Sequence, residues 1–237
     1  MSIASEITRL QQAKADLKTA IEAKGVTVPA STTLDGYAAL VDQIQTEPIL
    51  PYDAEVEYLQ STGNEYIDTG ISPSADIRLT IDGLYPSTSG SNLIHGAMSS
   101  SGGTYYRFHI GINASNFMGG VGTSNGTIKS ADTNRHTFKL IGKSKEAYVD
   151  TSHYTGNADF PSIPIFLFAR NNNGNASNMH VFKLYAADIY SYSQDKKLVD
   201  FIPVRKGNVG YLYDKVSGTL FGNANSSGAF TLGPDVT

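Results

Sequence analysis

A chain of 237 residues with 18 Lys plus Arg against 22 Asp plus Glu, no Cys and no Trp is long enough for one ordinary domain with an appendage or for two small domains. Its formal charge of -4 gives no electrostatic footprint for nucleic acid or an anionic membrane surface, and without Cys there are no disulfides, thiolate metal sites or Cys nucleophile. Apolar residues make 40% and charged residues only 17%, against roughly 25% charged in ordinary soluble domains, and Gly, Asn, Ser, Thr and Tyr fill the gap as they do in strands and turns.

The opening MSIASEITRLQQ is amphipathic and has no apolar h-region, so Sec export is not expected. Ile3, Ile7, Leu10, Leu17 and Ile21 recur on one helical side, with Ser2 able to cap the start and Gly25 able to end it, which predicts a helix of about six turns. In heptad terms Ile7, Lys14 and Ile21 fall at a, while Ile3, Leu10 and Leu17 fall at d, a seam that suits self-association. After VTVPASTT a second helix, roughly Leu34 to Gln45, presents Leu34, Tyr37, Ala38, Val41 and Ile44 on one side. The two stripes either bury each other as a helical hairpin or leave the first free for a coiled coil. Residues 1–45 are too few to be stable alone, so they are expected to dock on a partner.

TEPILPYDA, residues 46–54 with Pro48 and Pro51, reads as a semi-rigid linker. From residue 55 to 237 period-2 segments alternate with turn clusters. DIRLTIDGLY, TYYRFHIGI, RHTFKLIG, KEAYVD, IPIFLFA and MHVFKLYAADIY each look like a strand, separated by SPSA, STSGSN, SSSGG, GTSNG, TGNAD and NNNGNASN. IPIFLFA, unbroken in apolarity except for Pro164, is expected as a central strand buried on both faces; it is far too short to span a bilayer. DFIPVRKGNVGYLYD and DKVSGTLFG predict two hairpins near an edge, turning at Gly207-Asn208 and Ser217-Gly218. The fold class is mainly β: a short N-terminal α-helical segment followed by a jelly-roll β-sandwich.

Two stretches resemble known families. SIASEITRLQQAKADLKTAIEAKGVTVPASTTLDGYAALVDQI looks like an N-terminal module of structural proteins from tailed bacteriophages. VEYLQSTGNEYIDTGI, together with the run from ADIYSYSQDKK to GAFTLG, resembles the concanavalin A-like, laminin-G-like jelly rolls of phage and gut-bacterial surface proteins. The resemblance implies a virion protein assembled in the bacterial cytoplasm, attached through its helices to other virion proteins and forming a dimer or trimer. Its sandwich would meet a host-surface glycan as a fibre or tail-associated protein. Alternatives are a purely structural head fibre or capsid decoration, and a polysaccharide depolymerase. The fold alone does not choose, because it hosts lectins, hydrolases and inert decorations.

Chemistry has little to work with. A glycosidase needs two carboxylates facing across a cleft, yet beyond residue 65 the only Glu is Glu146, and Asp132, Asp150, Asp159, Asp195 and Asp214 sit beside turns as caps for loop amides. His95, His109, His136, His153 and His180 never occur as HxxxH or HxH, and no GxSxG elbow or phosphate loop is present. No catalytic residue, metal site or cofactor is assigned. Binding is better served. Tyr105, Arg107 and His109 alternate with Tyr106, Phe108 and Ile110, so one strand face carries an aromatic ring, a guanidinium and an imidazole that suit a sugar ring, or else a plain solvent face or subunit contact. Asn171, Asn172, Asn173 and Asn175 form the second candidate carbohydrate-binding set, with a hairpin loop of left-handed residues as the simpler alternative.

Overall fold

The computed structural model describes residues 2–44, 50–89, 93–157 and 159–236. The chain divides into two compact units, Met1–Leu50 and Pro51–Thr237.

In the first unit α1 spans Ile3–Glu22. Ser2 caps it through a side-chain oxygen that accepts from Ser5 N–H at 3.2 Å, and Gly25 takes φ +84° just beyond its end. The second helix, α2, covers only Gly36–Val41 and is shorter than predicted; Gln45 lies outside the described residues. Ile21, Val26, Val28 and Tyr37 bury one another, with Leu40 and Ile44 packed against them. The hairpin thus closes over the last turn of α1 alone. Ile3, Ile7, Leu10 and Leu17 remain exposed, as do Leu34 and Val41. The predicted inward side of α2 is corrected in part: Tyr37 and Ile44 face inward as expected, but Leu40 joins them at the three- and four-residue spacing of one helical stripe, while Leu34, Ala38 and Val41 are exposed. No described helix is long and apolar enough to cross a membrane.

The expected linker is also shorter. Pro48 lies outside the described residues, while Tyr52, Asp53 and Ala54 belong to the second unit. Asp53 N–H donates to Arg205 O at 2.8 Å, its carboxylate accepts from Gly207 N–H at 2.6 Å, and the Tyr52 ring meets Tyr213 edge-on at 4.9 Å. These contacts hold the segment against a hairpin instead of leaving it as a spacer.

The second unit is built of strands. The first are β1 (Ala54–Glu55), β2 (Leu59–Gln60), β3 (Ile67–Asp68), β4 (Ile77–Leu84), β5 (Leu93–Ser101), β6 (Thr104–Asn113), β7 (Asn116–Gly122) and β8 (Ser124–Ser130). There follow β9 (His136–Ile141), β10 (Glu146–Val149), β11 (Ser152–Thr155), β12 (Phe166–Leu167), β13 (Arg170–Asn172) and β14 (Asn175–Ser177). The last are β15 (Lys183–Ser191), β16 (Lys196–Lys206), β17 (Val209–Asp214), β18 (Thr219–Phe221) and β19 (Thr231–Leu232). One sheet runs β11-β10-β9-β4-β15-β16-β17-β18, with β1, β2 and β19 attached; the other runs β14-β13-β5-β6-β7-β8, with β3 and β12 attached. Pairing among the described strands is antiparallel except where β13 lies parallel to β5.

The two sheets enclose one core, the mainly-β sandwich expected. Strict alternation along β4 sends Ile77, Leu79 and Ile81 inward, and Phe138 and Leu140 of β9 join them. Phe108, Ile110 and Ile112 of β6 and Phe117 and Val121 of β7 meet them from the other sheet. Each fully buried side chain of this size contributes about 1.5–3 kcal/mol relative to exposure. The two closing hairpins form as predicted: Lys206 pairs with Val209 across Gly207 at φ 59°, and Asp214 with Thr219 before which Gly218 takes φ 73°.

IPIFLFA departs from expectation. Ile165, Leu167, Phe168 and Ala169 are fully buried, yet only Phe166 and Leu167 are strand, pairing with β3 and, through Phe166, with Gly96 of β5. Pro164 has no N–H to give a ladder, and Phe168 turns the chain with φ 65°. The segment is a buried connector that leads from β11 into β13 and pairs briefly with β3 and β5 on the way. The longest strands not foreseen as such are β5, β7 and β8, each interrupted by glycine.

Candidate functional site

The face of β6 that points away from the core carries Tyr105, Arg107 and His109, as alternation requires, since Phe108 and Ile110 are fully buried on the other. His109 stands opposite Gly96 of β5 and Gly120 of β7. Gly96 is in register with Arg170 of β13, and Gly120 with Asn125 of β8. One row across five strands therefore reads Arg170, Gly96, His109, Gly120, Asn125, and directly opposed residues share a face. The two glycines flanking His109 leave a trough with a long polar side chain at each end.

This trough is a pocket of about 280 Å³. Tyr105, Arg107, His109, Asn125 and Arg170 form its polar wall, with Asn113, and Ile94, Met98 and Met118 its apolar floor. The glycines are dictated by geometry. At Gly120 a Cβ would stand 2.5 Å from His109 Nε2, so the imidazole lies over the bare backbone of β7. At Gly96 the backbone has φ +126°, and a Cβ would stand 2.2 Å from Phe108 O.

His109 is 2% exposed, and neither of its ring nitrogens has a hydrogen-bond partner. Burial, then the positive charges of Arg170 and Arg107, push its pKa down to about 3. It is a neutral imidazole, with one nitrogen that donates and one that accepts. Arg107 donates to Thr123 O at 2.8 Å and Tyr105 O at 3.2 Å, its guanidinium carbon 5.2 Å from the centre of the Tyr105 ring. Arg170 is half-buried with its Nε unpartnered, and burial and the neighbouring Arg107 lower its pKa. Among the described residues no carboxylate lines the pocket, and none contributes to the shift of either arginine. The site is electropositive without an internal counter-ion.

The asparagine loop behaves differently from its billing as a ligand surface. Asn171 is 1% exposed and spends its side chain on Pro164 O (2.9 Å) and Gly174 N–H (2.8 Å). Asn173, at φ 52°, pairs with Ser100 through both amide atoms, accepting from N–H at 3.0 Å and donating to Oγ at 3.1 Å. Those two amides hold the β13–β14 hairpin together and against β5, and neither they nor Asn172 and Asn175 line the pocket. Asn173, Gly174 and Asn178 all have positive φ, which is the left-handed hairpin loop of the simpler alternative.

The acidic residues cap turns. Asp132 accepts from Asn134 N–H at 2.8 Å and Asp150 from Thr137 N–H at 3.2 Å; they also meet the two ring nitrogens of His136, at 2.9 and 2.7 Å, and Asp150 accepts from Lys129 Nζ at 3.0 Å. Glu146 accepts from the Tyr148 hydroxyl at 3.0 Å. Among the described residues no three of His, Asp and Glu are grouped to hold a metal ion. Comparison with protein-family models, with curated proteins and with solved structures finds no match to this chain.

Proposed function

We propose that the chain is a bacteriophage virion structural protein whose β-sandwich binds a host-surface glycan in the pocket around His109, and whose helical unit attaches it to other virion proteins or to further copies of itself. The virion assignment rests on the two sequence stretches that resemble phage structural proteins. The binding role rests on one observation: a buried imidazole with both nitrogens unpartnered, lining a cavity together with arginine, tyrosine and asparagine. A buried polar group without a partner costs roughly 1–3 kcal/mol, which a ligand hydroxyl bonding to one of the ring nitrogens would relieve in part. The volume lies just under the roughly 300–1,000 Å³ of pockets for drug-sized ligands, so it suits one sugar ring. Binding needs no bond cleavage, and the pocket lining holds no pair of carboxylates to perform it.

Attachment is supported by the stripe Ile3, Ile7, Leu10 and Leu17, which the chain's own second helix leaves uncovered. A capsid decoration would use this stripe equally and leave the pocket without a task. Two variants separate these readings. Deletion of residues 2–44 is expected to abolish incorporation into virions, and incorporation that survives rejects the anchor. Replacing His109 with Phe in the full chain is expected to abolish adsorption to host cells while incorporation persists; unchanged adsorption rejects the pocket as the binding site and leaves the decoration role.

A further inference from the structure

We infer that the sugar held in this pocket carries an anionic substituent, a carboxylate or a sulfate, gripped by Arg170 and Arg107. The inference rests on the glycan-binding reading above and adds the chemical class of the ligand.

Two guanidiniums converge on one small cavity, and among the described residues neither has an acid to neutralise it. Partly buried cations are ordinarily paired, because leaving them unpaired costs far more than leaving a neutral amide unpaired. Arg170 is the sharper case: its Nε is buried without an acceptor, and Arg107 repels it. An incoming oxyanion would satisfy Nε and an adjacent N–H together in the forked geometry that guanidinium prefers. A neutral sugar would leave that repulsion in place. The cation and the hydroxyl reader rise from different strands. Arg170 and His109 lie two strand spacings apart, about 9.5 Å between backbones, with only Gly96 between them. That gap admits a ring whose acidic group reaches Arg170 while a hydroxyl reaches His109.

The same features argue against a bare anion. A sulfate or phosphate alone would occupy the arginine end and leave both nitrogens of His109, the Asn125 amide and the methionine floor uncovered.

The test uses the full chain and titration by calorimetry, with proton NMR of the His109 ring to locate binding. The probes are glucuronate, galacturonate, N-acetylneuraminate and galactose 6-sulfate, each against glucose, galactose or N-acetylmannosamine as the neutral counterpart, and sodium sulfate as the bare ion. At least one acidic sugar is expected to bind about tenfold more tightly than its neutral counterpart and to shift the His109 resonances, and added salt is expected to weaken it. Arg170→Gln is expected to remove that preference, bringing the acidic sugar to the affinity of the neutral one, with circular dichroism confirming the fold. The wild-type comparison of acidic with neutral sugar stands even if that variant does not fold. Neutral sugars that bind at His109 as well as acidic ones do would overturn the anionic assignment and leave the glycan-binding reading intact. Sulfate binding as tightly as the sugar acids would overturn the saccharide. If no probe moves His109, both readings fall.

Discussion

The Nε2 atoms of His95 and His180 lie 3.1 Å apart, their rings meeting edge to face with centroids 4.6 Å apart. His95 Nδ1 accepts from Phe168 N–H at 2.8 Å, so its proton is on Nε2 and is donated to His180. His180 then carries its own proton on Nδ1 and donates it to Asn178 O at 2.9 Å. Both tautomers are fixed by backbone groups, and neither ring has room for a second proton.

A dependence of stability on acidity follows. Burial, then His180, holds His95 well below the usual imidazole range; burial holds His180 at about 4 and, with two arginines, His109 at about 3. Each folded value lies below the unfolded one of about 6.5, so the unfolded chain binds more protons as pH falls from there. The stabilisation is complete above pH about 6.5 and is lost as pH drops toward the folded values, each imidazole contributing up to about 1.4 kcal/mol per pH unit. Asp132, Asp150 and Asp200 all have lowered pKa values, so their loss belongs to more acidic solutions. Urea unfolding at pH 7.0 and 4.5 should therefore differ by several kcal/mol, about 1.4 for each imidazole and pH unit. A flat profile over that interval would contradict the neutral pair.

Glycine at two strand-centre positions should prove indispensable. Gly120→Ala places a methyl group 2.5 Å from His109 Nε2, which must displace the imidazole, and an overpacked site of this kind costs about 1–3 kcal/mol. Gly96→Ala adds a left-handed strain to a clash with backbone, where nothing can rotate away, and is expected to cost more, on the order of 3 kcal/mol or above. Chemical denaturation of the two variants gives the ranking, and an alanine at 96 that is tolerated as well as one at 120 would disprove this geometry.

Asp214 gives a third prediction. It is 1% exposed, and its carboxylate accepts from Asp200 N–H at 2.8 Å, Val216 N–H at 3.0 Å, Ser217 N–H at 3.1 Å and the Ser217 hydroxyl at 2.6 Å. Asp214→Ala leaves several donors unmet in the tightest part of the closing hairpins, and a stability loss of about 3–5 kcal/mol is expected from denaturant midpoints. Asp235→Ala, which removes an exposed partner of Arg205, should cost less than about 1 kcal/mol.

The uncovered stripe of α1 should make the chain self-associate. Sedimentation equilibrium is expected to give two or three copies, and Leu10→Asp, which puts a charge at the middle d position, should weaken association by at least about a hundredfold. A wild-type chain that sediments as a single copy at every concentration would rule out further copies of the chain as the occupants of the stripe.

Much of this was legible in the sequence, and what was not has a common cause. The helix of residues 3–22, its caps, the closing hairpins and the paired faces of β6 follow from periodicity and turn chemistry, which are local. Tyr105, Arg107 and His109 could be grouped because one strand carries all three. Arg170 and Asn125 could not, since they reach the same pocket only through the sheet order β13-β5-β6-β7-β8. The glycines hid their own strands: LIHGAMSSS and NFMGGVG look like loops by propensity, yet Gly96 and Gly120 sit at strand centres because a ring must pass over one and backbone crowds the other. The engagement of Asn171 and Asn173 was hidden for the opposite reason, because an amide side chain can satisfy its own hairpin and its neighbours as readily as a partner.

The small volume of the pocket bears on time as well as affinity. A cavity that grips a single ring offers few contacts to hold it, and weak grip shows itself chiefly as fast release. If the sandwich binds a host glycan as proposed, one head would let go of a cell surface quickly and sample the next residue along. Several heads tethered together would release one at a time, each recaptured before its neighbours detach, so a particle could travel over a polysaccharide coat without leaving it.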